Sequence, residues 1–377
     1  MWMRRKRGIV HTGFDCNRDG SSQLRTNALL FKAGPSAFAE VQHNGFAAEQ
    51  IGTIAGASGG AKWLVLSQID RVIAERILPK LVGPVHLIGS SIGSWRHACY
   101  AQADPLAAID RFETAYLEQS YTQDPDTAEI SSKGREILKQ LFGEEGIAEV
   151  MSHPVLRTHI MTVRSGFLTA SDSRTRLGIG LSIAAAANFV NRRALGAFFS
   201  RALFYDARDL PPIFNARQFP LETITLSEKN IVDAIAASGS VPLVISGIEN
   251  IDGAPPGVYR DGGVIDYHLD LPLAVPGRLT LFPHFFDRLI PGWFDKKLPW
   301  RKPDPKHVDR TILICPSPEF VSRLPNAKIP DRSDFVNMSQ EQRRQCWRES
   351  VAACRELADD LEDVLLQGTL AARLQPL

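Results

Sequence analysis

Short apolar runs alternate along this chain with longer amphipathic stretches. Residues 28–31, 51–55 and 85–88 are short apolar runs, and each predicts a buried strand. Each leads through a turn into a helix-like stretch: up to Val41 after the first, over 61–77 after the second, and beyond Gly93 after the third. Residues 105–155 read as polar-faced helices, clearest over 111–119 and 134–142, and 158–163 alternates like a strand. Residues 177–204 are rich in Ala, Leu and Phe but are interrupted by Asn188, Asn191, Arg192 and Arg193. They predict two helices packed over the core; an apolar lid over a lipid site is the sharper alternative. A strand at 224–226 is followed by a helix from near Lys229, which Ser227 can cap. Residues 257–260 enter Asp261-Gly262-Gly263, and 311–315 predict a last strand. Ser339 and Gln342 form a capping box. The helix they open places Trp347, Val351, Cys354, Ala358, Leu361 and Leu365 on one face and ends near Gly368.

The expected fold class is α/β, a three-layer α/β/α arrangement around a central, mostly parallel sheet. Residues 1–27 are expected to form a polar N-terminal arm. Residues 28–377 are expected to form a single domain with helical insertions at about 105–155 and 177–208 and a C-terminal covering helix.

Composition narrows the function classes. The 377 residues carry 43 Lys and Arg against 42 Asp and Glu, which leaves no basic face for a nucleic-acid partner. No apolar run reaches the ~18 residues of a membrane span. The basic cluster Arg4-Arg5-Lys6-Arg7 is not followed by the apolar segment of a secretory signal. It reads as a solvated tail, with contact to an anionic membrane surface as the alternative. The five cysteines are odd in number and lack C-x-x-C spacing, so free thiols in a reducing, cytoplasmic compartment are expected. The nine histidines show no tight ligand spacing, and neither a metal nor a cofactor is expected.

The candidate chemistry begins with Gly56-Ala57-Ser58-Gly59-Gly60, a G-x-S-x-G between a strand and a helix-like stretch. That context makes Ser58 a candidate nucleophile on a strained turn, with the Gly59 N–H facing developing negative charge. Gly56 and Gly60 supply the small neighbours such a turn needs. The loop Lys32-Ala33-Gly34-Pro35-Ser36-Ala37 offers a second oxyanion donor from Gly34, Ser36 or Ala37, because Pro35 has no N–H. A second G-x-S-x-G, Gly89-Ser90-Ser91-Ile92-Gly93, has the same context. Ser91 is the rival nucleophile, in an α/β-hydrolase with Asp206 or Asp261 and His268 or His284. It is alternatively a residue lining a pocket built around Ser58. Asp261 ends a strand and is followed by two glycines, so it is either a carboxylate on a tight catalytic turn or a plain hairpin turn. Residues 279–306 interleave Phe282, Phe285, Phe286, Trp293, Phe294 and Trp300 with Lys296, Lys297, Arg301 and Lys302, which suits a membrane–water interface or a loop packed on the core.

Taken in order, these motifs resemble the patatin-like phospholipase family of lipid acyl hydrolases. The nucleophile motif is matched by residues 56–60. The helix before the second motif is matched by Ala234-Ile235-Ala236-Ala237-Ser238 with Pro242 beyond it, and the D-G-[GA] motif by Asp261-Gly262-Gly263. The resemblance spans roughly residues 28–272. It implies a Ser58–Asp261 dyad without histidine, an acyl-enzyme, and backbone donors from Gly59 and the Gly34 loop. The implied partner is a lipid or other acyl-ester substrate, with peripheral membrane contact. The chain departs from the family in its oxyanion loop, where only Gly34 corresponds, and that departure motivates a third reading, a lipid-binding protein with a disabled site.

Overall fold

The structure is a computed structural model that describes residues 27–377. The expected N-terminal arm, apart from its last residue, lies outside the described residues. Eleven strands form one sheet: β1 (Leu29–Ala33), β2 (Ile51–Gly56), β3 (Val85–Ser90), β4 (Leu156–Ser165), β5 (Phe199–Tyr205), β6 (Leu221–Thr225), β7 (Ile248–Glu249), β8 (Val258–Asp261), β9 (Leu279–Pro283), β10 (Thr311–Pro316) and β11 (Leu374–Pro376). The main path runs β11-β1-β10-β9-β2-β3-β4-β5-β6, and β8 joins β4 with β7 beside it. The stretch β10-β9-β2-β3-β4 is parallel throughout. Every residue of β2, β3, β9 and β10 is buried. That follows from helices covering both faces of a parallel sheet, which explains why these strands read as continuous apolar runs. The fold is a three-layer α/β/α arrangement with a mostly parallel central sheet.

Four strands have no counterpart in the sequence pattern: the short β7 and β11, and the longer β5 and β9. Residues 177–204 are not two helices: a helix spans Arg174–Val190, a 3-10 segment spans Arg192–Ala197, and the rest is β5. Arg201 disguised β5. It is buried within the strand and pairs with Asp266 through hydrogen bonds of 2.6 and 2.8 Å. The other longer strand is β9, which lies centrally between β10 and β2, although its sequence was read as the start of an aromatic–basic stretch. Phe282 and Phe285 are buried in the core and meet no lipid surface. β10 is not the last strand, because β11 pairs with β1 at the edge. The predicted covering helix is two, Gln340–Ala353 and Arg355–Gln367, joined at Cys354. The stretch 61–77 winds as a 3-10 turn, one α-helical turn and a π segment instead of one α-helix.

The sheet register determines where the loops meet. Along one edge of β4, β3 pairs as far as Ser90 opposite Met161. From Thr162 onward β8 takes over, antiparallel, with Asp261 opposite Thr162. The other edge of β4 is occupied by β5 over the same residues. The chain leaving β3 and the chain ending β8 therefore meet head-on, at the level where β2 places Gly56 beside Gly89. Three strand ends thus converge on one point.

Candidate active site

Ser91 follows β3 directly and precedes the helix Ile92–Tyr100. Its backbone has φ 55° and ψ −130°, a conformation that costs a side-chain-bearing residue on the order of 1–3 kcal/mol. This strain holds its hydroxyl above the strand end. Its N–H donates to Ser238 Oγ at 2.7 Å, and Ser238 Oγ in turn donates to the Met161 carbonyl at 2.7 Å. The flanking glycines are required by close approach. A Cβ on Gly93 would lie 2.0 Å from the Gly56 carbonyl oxygen, and one on Gly89 would lie 2.6 Å from the Ser94 nitrogen. The two G-x-S-x-G segments touch through Gly56 and Gly93, where neither position has room for a Cβ.

Asp261 is the partner of Ser91. Ser91 Oγ donates to Asp261 Oδ2 at 2.7 Å, and Asp261 Oδ1 accepts the Gly263 N–H at 2.7 Å. The expected pairing of Asp261 with Ser58 is not the one observed: Ser58 Oγ donates to Ser90 Oγ at 2.9 Å, and its N–H goes to the Tyr267 carbonyl. Positive φ belongs to Ser91, whereas Ser58 lies in the turn after β2. Both glycines after Asp261 are again places of close approach. A Cβ on Gly262 would meet the Met161 carbonyl at 2.4 Å, and one on Gly263 would meet Ser58 Oγ at 2.4 Å. The D-G-G segment is therefore no hairpin turn; it continues into the short helix Gly263–Asp266.

Burial pushes the Asp261 carboxyl above the usual carboxylate range, and the hydrogen bonds from Ser91 and Gly263 offset part of that rise. No histidine takes part among the described hydrogen bonds of this pair. His268 Nδ1 accepts the Ile290 N–H and His284 Nδ1 accepts the Phe286 N–H. Burial holds His268 well below the ordinary histidine value and lowers His284 to about 3, so both are neutral at physiological pH. Asp206 is engaged by Arg208. The histidine-based alternative therefore chose the serine that Asp261 holds, but with a base found elsewhere in the fold.

The Gly34 loop is not part of the site. Its amides are engaged next to β10: Gly34 N–H to the Thr311 carbonyl, Ser36 N–H to the Asp309 carboxylate and Ala37 N–H to the Asp309 carbonyl. The loop that does border Ser91 is the one after β2. Gly59 and Gly60 line the same cavity as Ser91 and Asp261, and Gly60, with φ 57°, starts the 3-10 turn Gly60–Val65.

Ser91 sits where two cavities join. One, of about 210 Å³, is bordered by Ser58, Gly263, Lys62, Tyr267, Lys296 and Arg332. The other, of about 790 Å³, is lined mainly by apolar side chains including Trp95, Tyr116, Ile137, Val244, Ile245 and Phe335. Gly60, Ser91, Val241, Arg332 and Ser333 border both. The sequence reading missed Ser90, Ser238 and the three cations. Ser238 had a signal, since it ends the A-x-x-A-S segment noted in the sequence. Lys296 stood out only as part of the aromatic–basic stretch, and Arg332 had no signal, because its segment lies far from every motif.

Among the described residues, no helix is long and apolar enough to cross a membrane, and Cys99, Cys315, Cys346 and Cys354 are free thiols. No family model matches the chain, and no curated protein matches it in sequence. Among solved structures, the crystal structure of VipD from Legionella pneumophila aligns with a TM-score of 0.32 at 12% identity. The alignment covers 70% of this chain and 54% of that one, so the match extends over about half the length of VipD.

Proposed function

We propose that this chain is a serine acyl hydrolase that cleaves lipid carboxylic esters through a Ser91–Asp261 dyad. The observation that carries the reading is the 2.7 Å hydrogen bond from a strained, strand-end serine to a buried carboxylate. Asp261 takes the hydroxyl proton as Ser91 Oγ attacks the ester carbonyl carbon. The tetrahedral intermediate collapses, the alcohol leaves with that proton, and an acyl-Ser91 ester remains. Water that gives its proton to Asp261 then attacks the acyl-enzyme, releasing the carboxylic acid and restoring Ser91. A carboxylate whose basicity is raised by burial suits this task better than an ordinary one. The oxyanion is assigned to amides of the loop after β2, from Gly59 and Gly60, and to that of Ile92 at the helix start. Such donors are typically worth about 3 kcal/mol each. The apolar cavity beside Ser91 suits an acyl chain.

The motif order supports the patatin-like resemblance with its roles reassigned: residues 89–93 carry the nucleophile and residues 56–60 form the oxyanion loop. A fluorophosphonate probe followed by peptide mapping tests the reading. Label is expected on Ser91; label on Ser58, or none on a folded protein, rejects it.

Peripheral membrane contact belongs to the same proposal, but on a different surface from the one expected. The Arg174–Val190 helix buries Leu177, Leu181 and Ala184 and turns Ile179, Ile183, Phe189 and Val190 outward. Phe189 meets exposed Trp300 edge-on at 6.0 Å, and Asn188 holds Asp295 at 2.8 Å, so helix and loop form one surface. Exposed Arg193, Lys297 and Lys302 lie on the same segments. An apolar patch beside cations suits an anionic lipid surface. Replacing Phe189, Val190 and Trp300 together with Ser is expected to weaken cosedimentation with anionic liposomes by roughly tenfold or more, since each large apolar side chain contributes about 1.5–3 kcal/mol when buried. Unchanged cosedimentation counts against this surface.

A further inference from the structure

We propose that Ser238 is a positioning residue for the nucleophile: its hydroxyl holds the Ser91 backbone in the strained conformation that keeps Ser91 Oγ on Asp261. The catalytic consequence rests on the acyl-hydrolase reading; the positioning itself rests on hydrogen bonds alone.

A serine hydroxyl has one proton to donate and two lone pairs with which to accept. Ser238, the last residue of the helix Ile231–Ser238, uses all three. Its proton goes to the Met161 carbonyl at 2.7 Å, and its oxygen accepts the Ser91 N–H at 2.7 Å. Ser94 Oγ lies 3.3 Å away, and because the Ser238 proton is already committed, Ser94 is the donor there. Ser238 is fully buried and Ser91 and Ser94 nearly so, which keeps bulk water from replacing any of these bonds. Met161 is the last residue of β4 that pairs with β3, and Thr162 is the first that pairs with β8. Ser238 is thus bonded to the sheet at the junction of the two strands, and the Ser91 turn is bonded to Ser238.

The two backbone groups of Ser91 are held differently. Its carbonyl accepts the Ser94 N–H at 2.9 Å, a local bond that travels with the turn and its helix. Its N–H bond to Ser238 spans 147 positions and ties the turn to β4. A strained backbone persists only where its surroundings over-determine it. Rotation about φ swings the N–H relative to the side chain, so fixing the N–H fixes the direction of Oγ. The same segment holds the other half of the dyad, because the Ser240 carbonyl accepts the Asp261 N–H at 3.1 Å. The helix end is itself anchored: Trp95 Nε1 donates to the Ile235 carbonyl at 3.2 Å and Ser240 Oγ to the Ala236 carbonyl at 2.9 Å. Residues 238–240 therefore hold Ser91 and Asp261, which come from different strands, in one frame. Ser238 lines neither cavity, so it acts on the nucleophile without touching substrate.

The test is Ser238→Ala, which removes one oxygen and leaves the Ser91 N–H and the Met161 carbonyl without that partner. Fluorophosphonate labelling of Ser91 is followed as a time course, so that rate and final stoichiometry are read separately. Positioning predicts complete labelling at a rate reduced roughly tenfold or more, with kcat for a soluble ester lowered on the order of 10²-fold and KM little changed. Labelling of fewer molecules at the wild-type rate is the mark of a merely structural residue and overturns the proposal, as does a wild-type rate with full labelling. Should the alanine variant not fold, Ser238→Cys fills the space with a weaker acceptor and is read in the same way. Crystal structures of the wild type and the variant give a readout that needs no activity. In the variant the Ser91 Oγ–Asp261 Oδ2 contact is expected to open beyond the ~3.2 Å of a hydrogen bond. An unchanged contact with an unchanged Ser91 φ overturns the proposal, whatever either protein hydrolyses. A contact that opens in the variant, when the wild type neither labels nor hydrolyses, supports the positioning role and rejects the acyl-hydrolase reading instead.

Discussion

Ser91→Ala is expected to remove ester hydrolysis by on the order of 10⁴-fold or more, the scale of losing a catalytic nucleophile. Ser58→Ala is expected to cost at most roughly tenfold. The contrast follows from what each hydroxyl touches. Ser91 Oγ donates directly to the Asp261 carboxylate, from a backbone that only a well-supported turn can hold. Ser58 Oγ donates to another serine, so its loss removes one neutral hydrogen bond, worth about 0.5–1.5 kcal/mol. The two variants differ from wild type by one oxygen atom each, and both should fold. Initial rates on one soluble p-nitrophenyl ester, with circular dichroism to confirm folding, decide the matter. If Ser58→Ala silences the enzyme while Ser91→Ala does not, the dyad assignment is wrong and the turn after β2 carries the nucleophile.

Much of the sheet was legible: β1, β2, β3 and β10 announced themselves as short apolar runs, β4 as an alternating stretch, and residues 224–226 and 257–260 pointed to β6 and β8. β5 did not, because Arg201 sits inside it and is tolerated only through its pairing with Asp266, 65 positions further along the chain. β9 was hidden among aromatics that are core residues rather than surface ones. At the site, two matching G-x-S-x-G segments posed a choice that local pattern cannot make. Each follows a buried strand, each is rich in glycine, and each leads into helical structure. The difference lies in pairing register. β3 and β8 share one edge of β4 end to end, so the turn after β3, and not the one after β2, is aimed at Asp261. Register across β4 is a long-range property, and the sequence near Ser58 or Ser91 does not contain it. Asp261 was legible because the D-G-G segment needs two residues without Cβ, one against Met161 and one against Ser58. The Gly34 loop failed as an oxyanion element for a similar reason: its amides look free in sequence but are engaged next to β10.

Asp261→Asn should lose activity and gain stability at once, and the pair of outcomes separates a catalytic carboxylate from a structural one. The amide is nearly isosteric, and its oxygen can still accept the Gly263 N–H, so the turn remains intact. It cannot accept the Ser91 proton at neutral pH, and hydrolysis is expected to fall by on the order of 10²–10⁴-fold. The stability change follows from proton linkage. Burial raises the folded-state pKa of Asp261 above its unfolded value, so between the two values the folded protein binds more protons than the unfolded chain. Stability contributed by this group is therefore present at low pH and declines as pH rises through that window. Above it, the ionised carboxylate is a standing cost that asparagine removes. Thermal unfolding should show Asp261→Asn more stable than wild type at pH 7, with the difference shrinking as pH falls towards 4. Activity of the wild type should move in the opposite direction, with an acid limb above the ~4 of an ordinary carboxylate. A folded His268→Asn or His284→Asn variant as inactive as Asp261→Asn would require a histidine in the mechanism. A loss of both activity and stability at pH 7 in Asp261→Asn would make Asp261 a structural residue and leave Ser91 without its base.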